Sequence, residues 1–184
     1  SIQVNGQWQT FPNAKAAEEA SYEEYKANLR RTAENFRITD DHLGEGGPKA
    51  KFQANVEAIK LLKYLEETTE QATPEQQKIL SRYVGWGGLA NCFEQTSPHY
   101  EELKSLLDSE EYAAARASTL TAFYTPPVVI RGIYKALSQM GFTQGNILEP
   151  SCGTGNFLGL LPTDMAGSKA YGIRYNKFRK MKSR

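Results

Sequence analysis

The sequence has few of the residues that build metal sites and disulfide frameworks. It contains two cysteines and two histidines in 184 residues. Cys92 and Cys152 are far apart and lack the spacing of metal ligands, so neither a disulfide framework nor a cysteine metal site is expected. His42 follows Asp40 and Asp41, but no second histidine or cysteine is spaced to complete a metal site with it. This cysteine usage fits a reducing, cytoplasmic compartment.

Long apolar runs and a charge of one sign are also missing. No run approaches the roughly 20 residues of a membrane-spanning helix, and no signal peptide opens the sequence. Lys and Arg number 22 against 21 Asp and Glu, so the net charge of +1 favours no class of partner, and only a local patch would matter. The length suits one full domain, or one small domain with part of another.

The most informative stretch is a glycine-containing segment near the end of the sequence. Residues 146–149 are strand-like and end in the carboxylate of Glu149. A turn with Gly153 and Gly155 follows, and a short helical pattern begins near Phe157. In an open α/β sheet, ligands bind at the carboxyl end of such strands, and glycine lets the backbone approach them closely. The alternative is an ordinary glycine turn between a strand and a helix.

Two cofactor motifs do not fit this stretch. A dinucleotide fingerprint needs Gly-x-Gly-x-x-Gly, but Gly159 falls one position late after Gly155. The Lys and Ser/Thr of a phosphate-binding P-loop are absent as well.

The stretch instead resembles motif I of the S-adenosylmethionine-dependent methyltransferases, in the form typical of adenine-specific DNA methylases. The resemblance rests on ten consecutive residues: Leu148-Glu149-Pro150-Ser151-Cys152-Gly153-Thr154-Gly155-Asn156-Phe157. Upstream, Phe123-Tyr124-Thr125-Pro126 is similar to the family segment that borders the cofactor. The region around Gly85-Trp86-Gly87-Gly88 resembles the part that precedes the methylase in large methylase–helicase proteins of phages and conjugative elements.

The resemblance implies a set of residues that bind S-adenosylmethionine. They are Phe123, Tyr124, Thr125, Pro126, Glu149, Pro150, Cys152, Gly153, Gly155, Asn156 and Phe157. Where the family has an acidic residue that accepts hydrogen bonds from the ribose, this sequence has Arg174, which has no acceptor. Cofactor binding is therefore expected to be weak or lost.

The resemblance also stops short of the catalytic segment. Adenine methylases use Asp/Asn-Pro-Pro-Tyr/Phe to hold a flipped base, and no such segment occurs here. The sequence is thus interpreted as truncated after motif I, with no catalytic residue and no turnover on its own. The first hypothesis is a fragment or remnant of an adenine-specific DNA methyltransferase. The alternative is a non-enzymatic protein of a mobile element. It would bind and inhibit a host factor such as a defence nuclease, in the anti-restriction or anti-CRISPR manner, or would bind nucleic acid.

Two further features are candidates for contacts with DNA, a host nucleoprotein or another protein. Trp86 lies between glycines and either fills the core or stacks on a base or the cofactor. The last eleven residues form a basic run that is either a solvated terminus or a phosphate-binding or docking segment. Its cations are Arg174, Lys177, Arg179, Lys180, Lys182 and Arg184.

The expected fold class is α+β and mostly α: a helical N-terminal part with an incomplete Rossmann-like methyltransferase unit. Residues 1–117 are the predicted helical region, opened by a hairpin, and 118–184 the truncated α/β unit with its basic tail. Five helices are predicted over about residues 13–36, 51–66, 98–107, 109–117 and 126–140. A further helix is predicted to begin at the capping box formed by Thr73 and Gln76.

In the last of these helices Thr125 is the predicted cap. The residues expected to face inward are Val129, Ile130, Ile133, Leu137 and Met140. Two parallel strands are predicted around Ile147 and Tyr171, joined by a right-handed crossover. Because parallel sheets normally need both faces buried, the helical part or a second copy of the chain is expected to cover them.

Overall fold

The computed structural model describes residues 1–4, 6–32 and 36–173, which form a mixed structure with more helix than strand. Close contacts divide the chain into two units, one within residues 1–35 and the other within residues 36–183. The expected class, α+β and mostly α, is confirmed in this coarse form, whereas a Rossmann-like sheet is not confirmed. The predicted boundary after residue 117 stays a prediction.

The first unit begins with a small antiparallel hairpin of β1 (Ile2–Val4) and β2 (Gln7–Gln9). Gly6 in the turn has φ of 75°, a value that side chains other than glycine rarely adopt. Helix α1 (Ala14–Thr32) follows and confirms the predicted helix over these residues. Its first turn is capped by Asn13, whose side-chain oxygen accepts a hydrogen bond from the backbone N–H of Ala16 at 2.9 Å.

The second unit contains the other helices and a parallel strand pair. The helices are α2 (Pro48–Thr68), α3 (Pro74–Ser81), α4 (Tyr100–Leu106), α5 (Ser109–Ala117), α6 (Pro127–Gln139) and α7 (Asn156–Gly159). The predicted capping box between Thr73 and Gln76 is confirmed, with both reciprocal hydrogen bonds present. Helix α2 starts earlier than predicted because Pro48 occupies its first turn.

A first hydrophobic core lies among α2, the tryptophan segment (residues 83–89), α4 and α5. Its buried members are Phe52, Val56, Ile59, Trp86, Leu89, Cys92, Phe93, Leu103, Leu107 and Ala115. Trp86 is 2% exposed, and its ring meets Phe93 edge to face at a centroid distance of 5.2 Å.

Asn55 is the polar residue at the centre of this packing. It lies on the buried face of α2 with no exposed surface. Its side-chain nitrogen donates to the carbonyl oxygen of Gly85 at 2.6 Å, and its side-chain oxygen accepts from the backbone N–H of Val84 at 2.9 Å. These bonds satisfy backbone groups of the tryptophan segment that no helix or sheet ladder would satisfy, and so they fix it against α2.

A second core joins residues 36–43 to α6 and α7. Its buried members are Ile38, Leu43, Ile130, Tyr134, Leu160 and Met165. The backbone N–H of Ile38 donates to the carbonyl oxygen of Gly159 at 2.8 Å, which attaches the segment to α7.

The structure corrects two predictions about α6. Pro126, not Thr125, is the residue before the helix, and no side chain caps it, because Pro127 occupies the first helical position. Of the apolar residues expected to face inward, Ile130 is fully buried and Leu137 partly buried. The other three, Val129, Ile133 and Met140, are 47%, 41% and 82% exposed.

The two predicted parallel strands are present as β3 (Asn146–Glu149) and β4 (Lys169–Gly172), which pair in parallel. Leu148 lies opposite Tyr171 in this register. Leu148, Tyr171 and the following Ile173 are 60%, 44% and 54% exposed, so one face of the pair is open to solvent. The expectation that the helical part covers this face is therefore wrong for the described residues, and the crossover's hand stays a prediction.

No helix in the described ranges is both long enough and apolar enough to span a membrane.

We predict that Asn55→Ala destabilises the second unit by about 2–4 kcal/mol, since it leaves one partly buried N–H and one buried carbonyl without the partner that Asn55 provides. Urea unfolding followed by circular dichroism measures the effect. Gln53→Ala, at an exposed position of the same helix, is the matched control and should change the free energy of unfolding by less than about 0.5 kcal/mol. Equal effects of the two substitutions would contradict the role assigned to Asn55.

Candidate functional site

The glycine loop, residues 150–155, connects the carboxyl end of β3 to α7. The backbone N–H of Ile173 donates to the carbonyl oxygen of Glu149 at 2.8 Å, and that of Cys152 donates to the carbonyl oxygen of Ile173 at 3.1 Å. Within the loop, the N–H of Gly155 donates to the carbonyl oxygen of Cys152 at 2.6 Å. The loop is therefore tied to the carboxyl ends of both strands.

The two glycines of the loop serve different purposes. Both have positive φ, 50° at Gly153 and 87° at Gly155. A Cβ atom on Gly153 would lie 2.7 Å from Cε1 of Tyr124, which is closer than van der Waals contact allows. A Cβ atom on Gly155 would meet nothing within 4 Å. Gly153 is thus required by close packing as well as by conformation, whereas Gly155 is required by conformation alone.

Tyr124 joins the glycine loop to the tryptophan segment. The same ring packs against Gly85, where an added Cβ would lie 2.7 Å from its Cε2 atom. Next to it, the backbone N–H of Gly87 donates to the carbonyl oxygen of Ala122 at 3.1 Å. The aromatic side chain therefore lies between two glycines that are distant in sequence, Gly85 and Gly153.

The carboxylate of Glu149 lies beside the start of the loop and near Tyr134. One of its oxygens accepts a hydrogen bond from the backbone N–H of Ser151 at 3.2 Å. The hydroxyl of Tyr134 donates to the carbonyl oxygen of Phe157 at 2.7 Å. Burial raises the pKa of Tyr134, and the negative charge of Glu149 raises it further. Glu149 thus helps to order the loop, and the neutral Tyr134 is bonded to the first turn of α7.

The residues proposed for cofactor binding fall into three groups. Glu149, Pro150, Cys152, Gly153, Gly155, Asn156 and Phe157 form the loop and its two ends, and Tyr124 contacts the loop at Gly153. Thr125 and Pro126 lead into α6. Phe123 is 67% exposed and lies beside Gly87, where an added Cβ would be 2.8 Å from its ring. Their role in binding stays a prediction.

The residues proposed for contacts with nucleic acid or a partner have different outcomes. Trp86 is a core side chain, as one of its two interpretations predicts, and a base could stack on it only if the segment opened. Arg174, Lys177, Arg179, Lys180, Lys182 and Arg184 lie outside the described residues.

Sequence analysis missed two residues that hold this region together, Asn55 and Tyr134. Asn55 is a polar residue on the apolar face formed by Phe52, Val56 and Ile59, which marks a buried hydrogen-bonding role. Tyr134 follows Ile130 by four positions in α6, a spacing that places both on one face. Their partners, however, are backbone groups that no local pattern indicates.

The loop only partly suits S-adenosylmethionine. Gly155 leaves space beside it, but Tyr124 occupies the side of the loop at Gly153, and one Glu149 oxygen already accepts from Ser151. The residue at the expected ribose position, Arg174, lies outside the described residues. The geometry of the loop thus gives no support for a reaction that uses S-adenosylmethionine.

No protein-family model and no solved structure matches the chain. Among curated proteins, the chain is similar to the Defense against restriction protein B of Escherichia phage P1. The two are 28% identical over 114 residues, which is 62% of this chain and 4% of the phage protein. The match therefore spans a small fraction of its relative's length.

These comparisons contradict the interpretation of the chain as the N-terminal part of an adenine-specific DNA methyltransferase of the methylase–helicase type. No methyltransferase model matches it, and the relative is named for defence against restriction. In physical terms, the motif-like loop is explained by its packing against Tyr124 and by its ties to β3 and β4.

We predict that Gly153→Ala destabilises the protein more than Gly155→Ala does. Both substitutions place alanine at positive φ, at a cost of about 1–2 kcal/mol. Only Gly153→Ala also forces the Tyr124 ring to move, which adds about 1–3 kcal/mol of overpacking. Thermal and urea unfolding measure both values.

A double-mutant cycle isolates the ring contact. In a Tyr124→Ala background, Gly153→Ala and Gly155→Ala should have nearly equal effects, because the added methyl group no longer meets the ring. If Gly153→Ala still destabilised the protein more than Gly155→Ala by the same amount in that background, packing against Tyr124 would not explain why position 153 requires glycine.

We also predict that the chain binds S-adenosylmethionine no more tightly than roughly tens of micromolar, since Arg174, which has no acceptor, stands where the resemblance would require an acidic ribose ligand. Isothermal titration calorimetry with the cofactor and with S-adenosylhomocysteine tests this. A dissociation constant near one micromolar would contradict it.

Proposed function

We propose that the chain is an anti-defence protein of a mobile genetic element, which protects incoming DNA by binding a host defence protein and catalyses no reaction itself. The observation that carries this proposal is the similarity to a phage protein named for defence against restriction. Because the match spans 4% of that relative, the activity of the whole phage protein is not transferred.

The sequence supports a binding role over methyl transfer. The segment that holds a flipped adenine in methylases is missing, so the chain has no group to orient the target amine. A protein that acts by contact needs a folded surface rather than a catalytic constellation. We propose a host restriction enzyme as the partner, and a CRISPR nuclease as the second candidate of the same class.

Plating assays test the proposal. Cells that carry one restriction system and express the chain are infected with phage whose DNA is unmodified for that system. We expect the efficiency of plating to be clearly higher with the chain than without it. Hosts that carry a CRISPR system form a second arm.

Two controls make the plating result specific. Phage with modified DNA, and hosts without the defence system, should plate equally with and without the chain. Asn55→Ala should lose protection in proportion to the unfolded fraction. Unchanged plating on every defence-proficient host, with the chain present and folded, would contradict the proposal.

A further inference from the structure

Strand β4 has an outer edge with which no other strand in the described residues pairs. The parallel sheet in that part of the chain consists of β3 and β4 alone. One face of the pair is open as well, because Leu148, Tyr171 and Ile173 are 60%, 44% and 54% exposed. Parallel strands normally lie in larger sheets with both faces buried. An exposed strand edge is also a template for pairing with a further strand.

The hydrogen bonds between β3 and β4 show which backbone groups point to this edge. The N–H of Lys169 donates to the carbonyl oxygen of Gly145 at 2.9 Å, and the N–H of Ile173 donates to that of Glu149 at 2.8 Å. Lys169 and Ile173 therefore direct their backbone groups to β3. Tyr171, midway between them, does the same, since these groups alternate in direction along a strand.

The two remaining residues of β4 direct their backbone groups the other way. Ala170 and Gly172 both point their N–H and carbonyl groups to the outer edge, and both residues are exposed. Strand β4 contains no proline that would block pairing. Its charged side chain, Lys169, lies over the Tyr171 ring, with Nζ 5.4 Å from the ring centroid. The outer edge is thus suited to accept a strand.

A second copy of the chain has an edge that matches this one. When two β4 strands run antiparallel across a two-fold axis at Tyr171, Ala170 of each copy lies opposite Gly172 of the other. Each of these two pairs can exchange both of its N–H···O hydrogen bonds, because all the groups involved point to the partner. The axis is perpendicular to the sheet, so the open apolar faces of both copies lie on the same side.

The side chains that meet across the axis suit this register. The two Tyr171 side chains are opposite each other at a non-hydrogen-bonded position, where side chains lie closest and aromatic pairs stabilise a sheet. Lys169 lies opposite Ile173 of the other copy, so no like charges are directly opposed. On the other face, Ala170 and Gly172 are too small to prevent the approach.

The outer edge of β3 is a poorer match for its own copy. A two-fold axis there would lie at Ile147, and it would place Leu148 opposite Asn146 on the open face. The apolar side chain would then be paired with an amide instead of with another apolar group. The edge of β4 is therefore the one that favours a second copy.

We propose that the chain forms a dimer in which β4 pairs antiparallel with β4 of a second copy, with Tyr171 on the two-fold axis. The sheet then continues through both copies in the order β3-β4-β4-β3. Because β4 is only four residues long, the interface is small. The dimer is expected to form reversibly, with a dissociation constant of roughly 10–100 μM.

Proline substitutions test the edge in sedimentation velocity experiments at about 1–300 μM chain, a range that brackets the expected dissociation constant. Ala170→Pro removes an N–H that points to the second copy and leaves the bonds to β3, so it should weaken the dimer at least about tenfold. Asn146→Pro makes the same change at the outer edge of β3. It is the matched control and should dimerise like the wild type. Circular dichroism melting confirms that each variant is folded.

Cysteine substitutions test the register without proline. Tyr171→Cys places two thiols across the axis at a Cα separation of about 4.5 Å, within disulfide range, so mild oxidation should give a linked dimer. Lys169→Cys places its two thiols roughly 13 Å apart along the strands and should not link to itself. A mixture of Lys169→Cys and Ile173→Cys should link, because these positions are opposed. The wild type, with Cys92 and Cys152, gives the baseline.

Four outcomes would overturn the proposal. The first is a wild-type chain that stays monomeric at about 300 μM, several times the expected dissociation constant. The second and third are a dimer that Ala170→Pro leaves unchanged and a dimer that Asn146→Pro dissociates. The fourth is equal linking of Lys169→Cys and Tyr171→Cys, which would show that the strands do not meet in this register.

Discussion

The structure of the second unit depends on one buried amide. Asn55 bonds to both Val84 and Gly85, and these two bonds hold the tryptophan segment against α2. With the segment fixed, Trp86 fills the first core, and Gly85 presents a flat surface to the ring of Tyr124. That ring in turn packs on Gly153. A series of close contacts thus leads from Asn55 in α2, through Gly85 and Tyr124, to Gly153 in the glycine loop. Each contact depends on the type of residue at that position.

This arrangement explains the glycine loop by contacts within the protein. Gly153 is explained by the chain's own tyrosine, and the loop's hydrogen bonds are made within the protein. A ligand is therefore not needed to account for the loop. Large apolar residues on the outer side of α6 and on the open face of β3 and β4 are exposed in the described structure. If the chain acts by binding another protein, as proposed, exposed apolar residues such as these are available for the contact.

Local signals predicted the elements well. The capping box at Thr73, the apolar period of α2 and the two parallel strands were all predictable because each depends on neighbouring residues. The side of α6 that faces the core was not predictable. Apolar residues lie on two sides of this helix, and only tertiary packing determines which side is buried. The partners of Asn55 are about thirty positions away and have no local pattern.

The functional interpretation failed for a related reason. A ten-residue resemblance around Gly153 and Gly155 describes a strand, a turn and a helix, and such a turn can be required by packing alone. The contact of Gly153 with Tyr124 involves a residue outside that motif, and the similarity to a phage protein named for defence against restriction extends over 114 residues. The loop could therefore be predicted from the sequence, but its purpose could not.

The central claim is that the chain protects DNA by contact with a defence protein and leaves the DNA itself unaltered. The most direct measurement is to grow phage in cells that express the chain but carry no restriction–modification system, and to digest the recovered DNA with the purified restriction enzyme against which the chain gives protection. The account predicts complete cleavage at the same rate as for DNA from cells without the chain. DNA that resists cleavage would show that protection comes from modification, and would contradict the account.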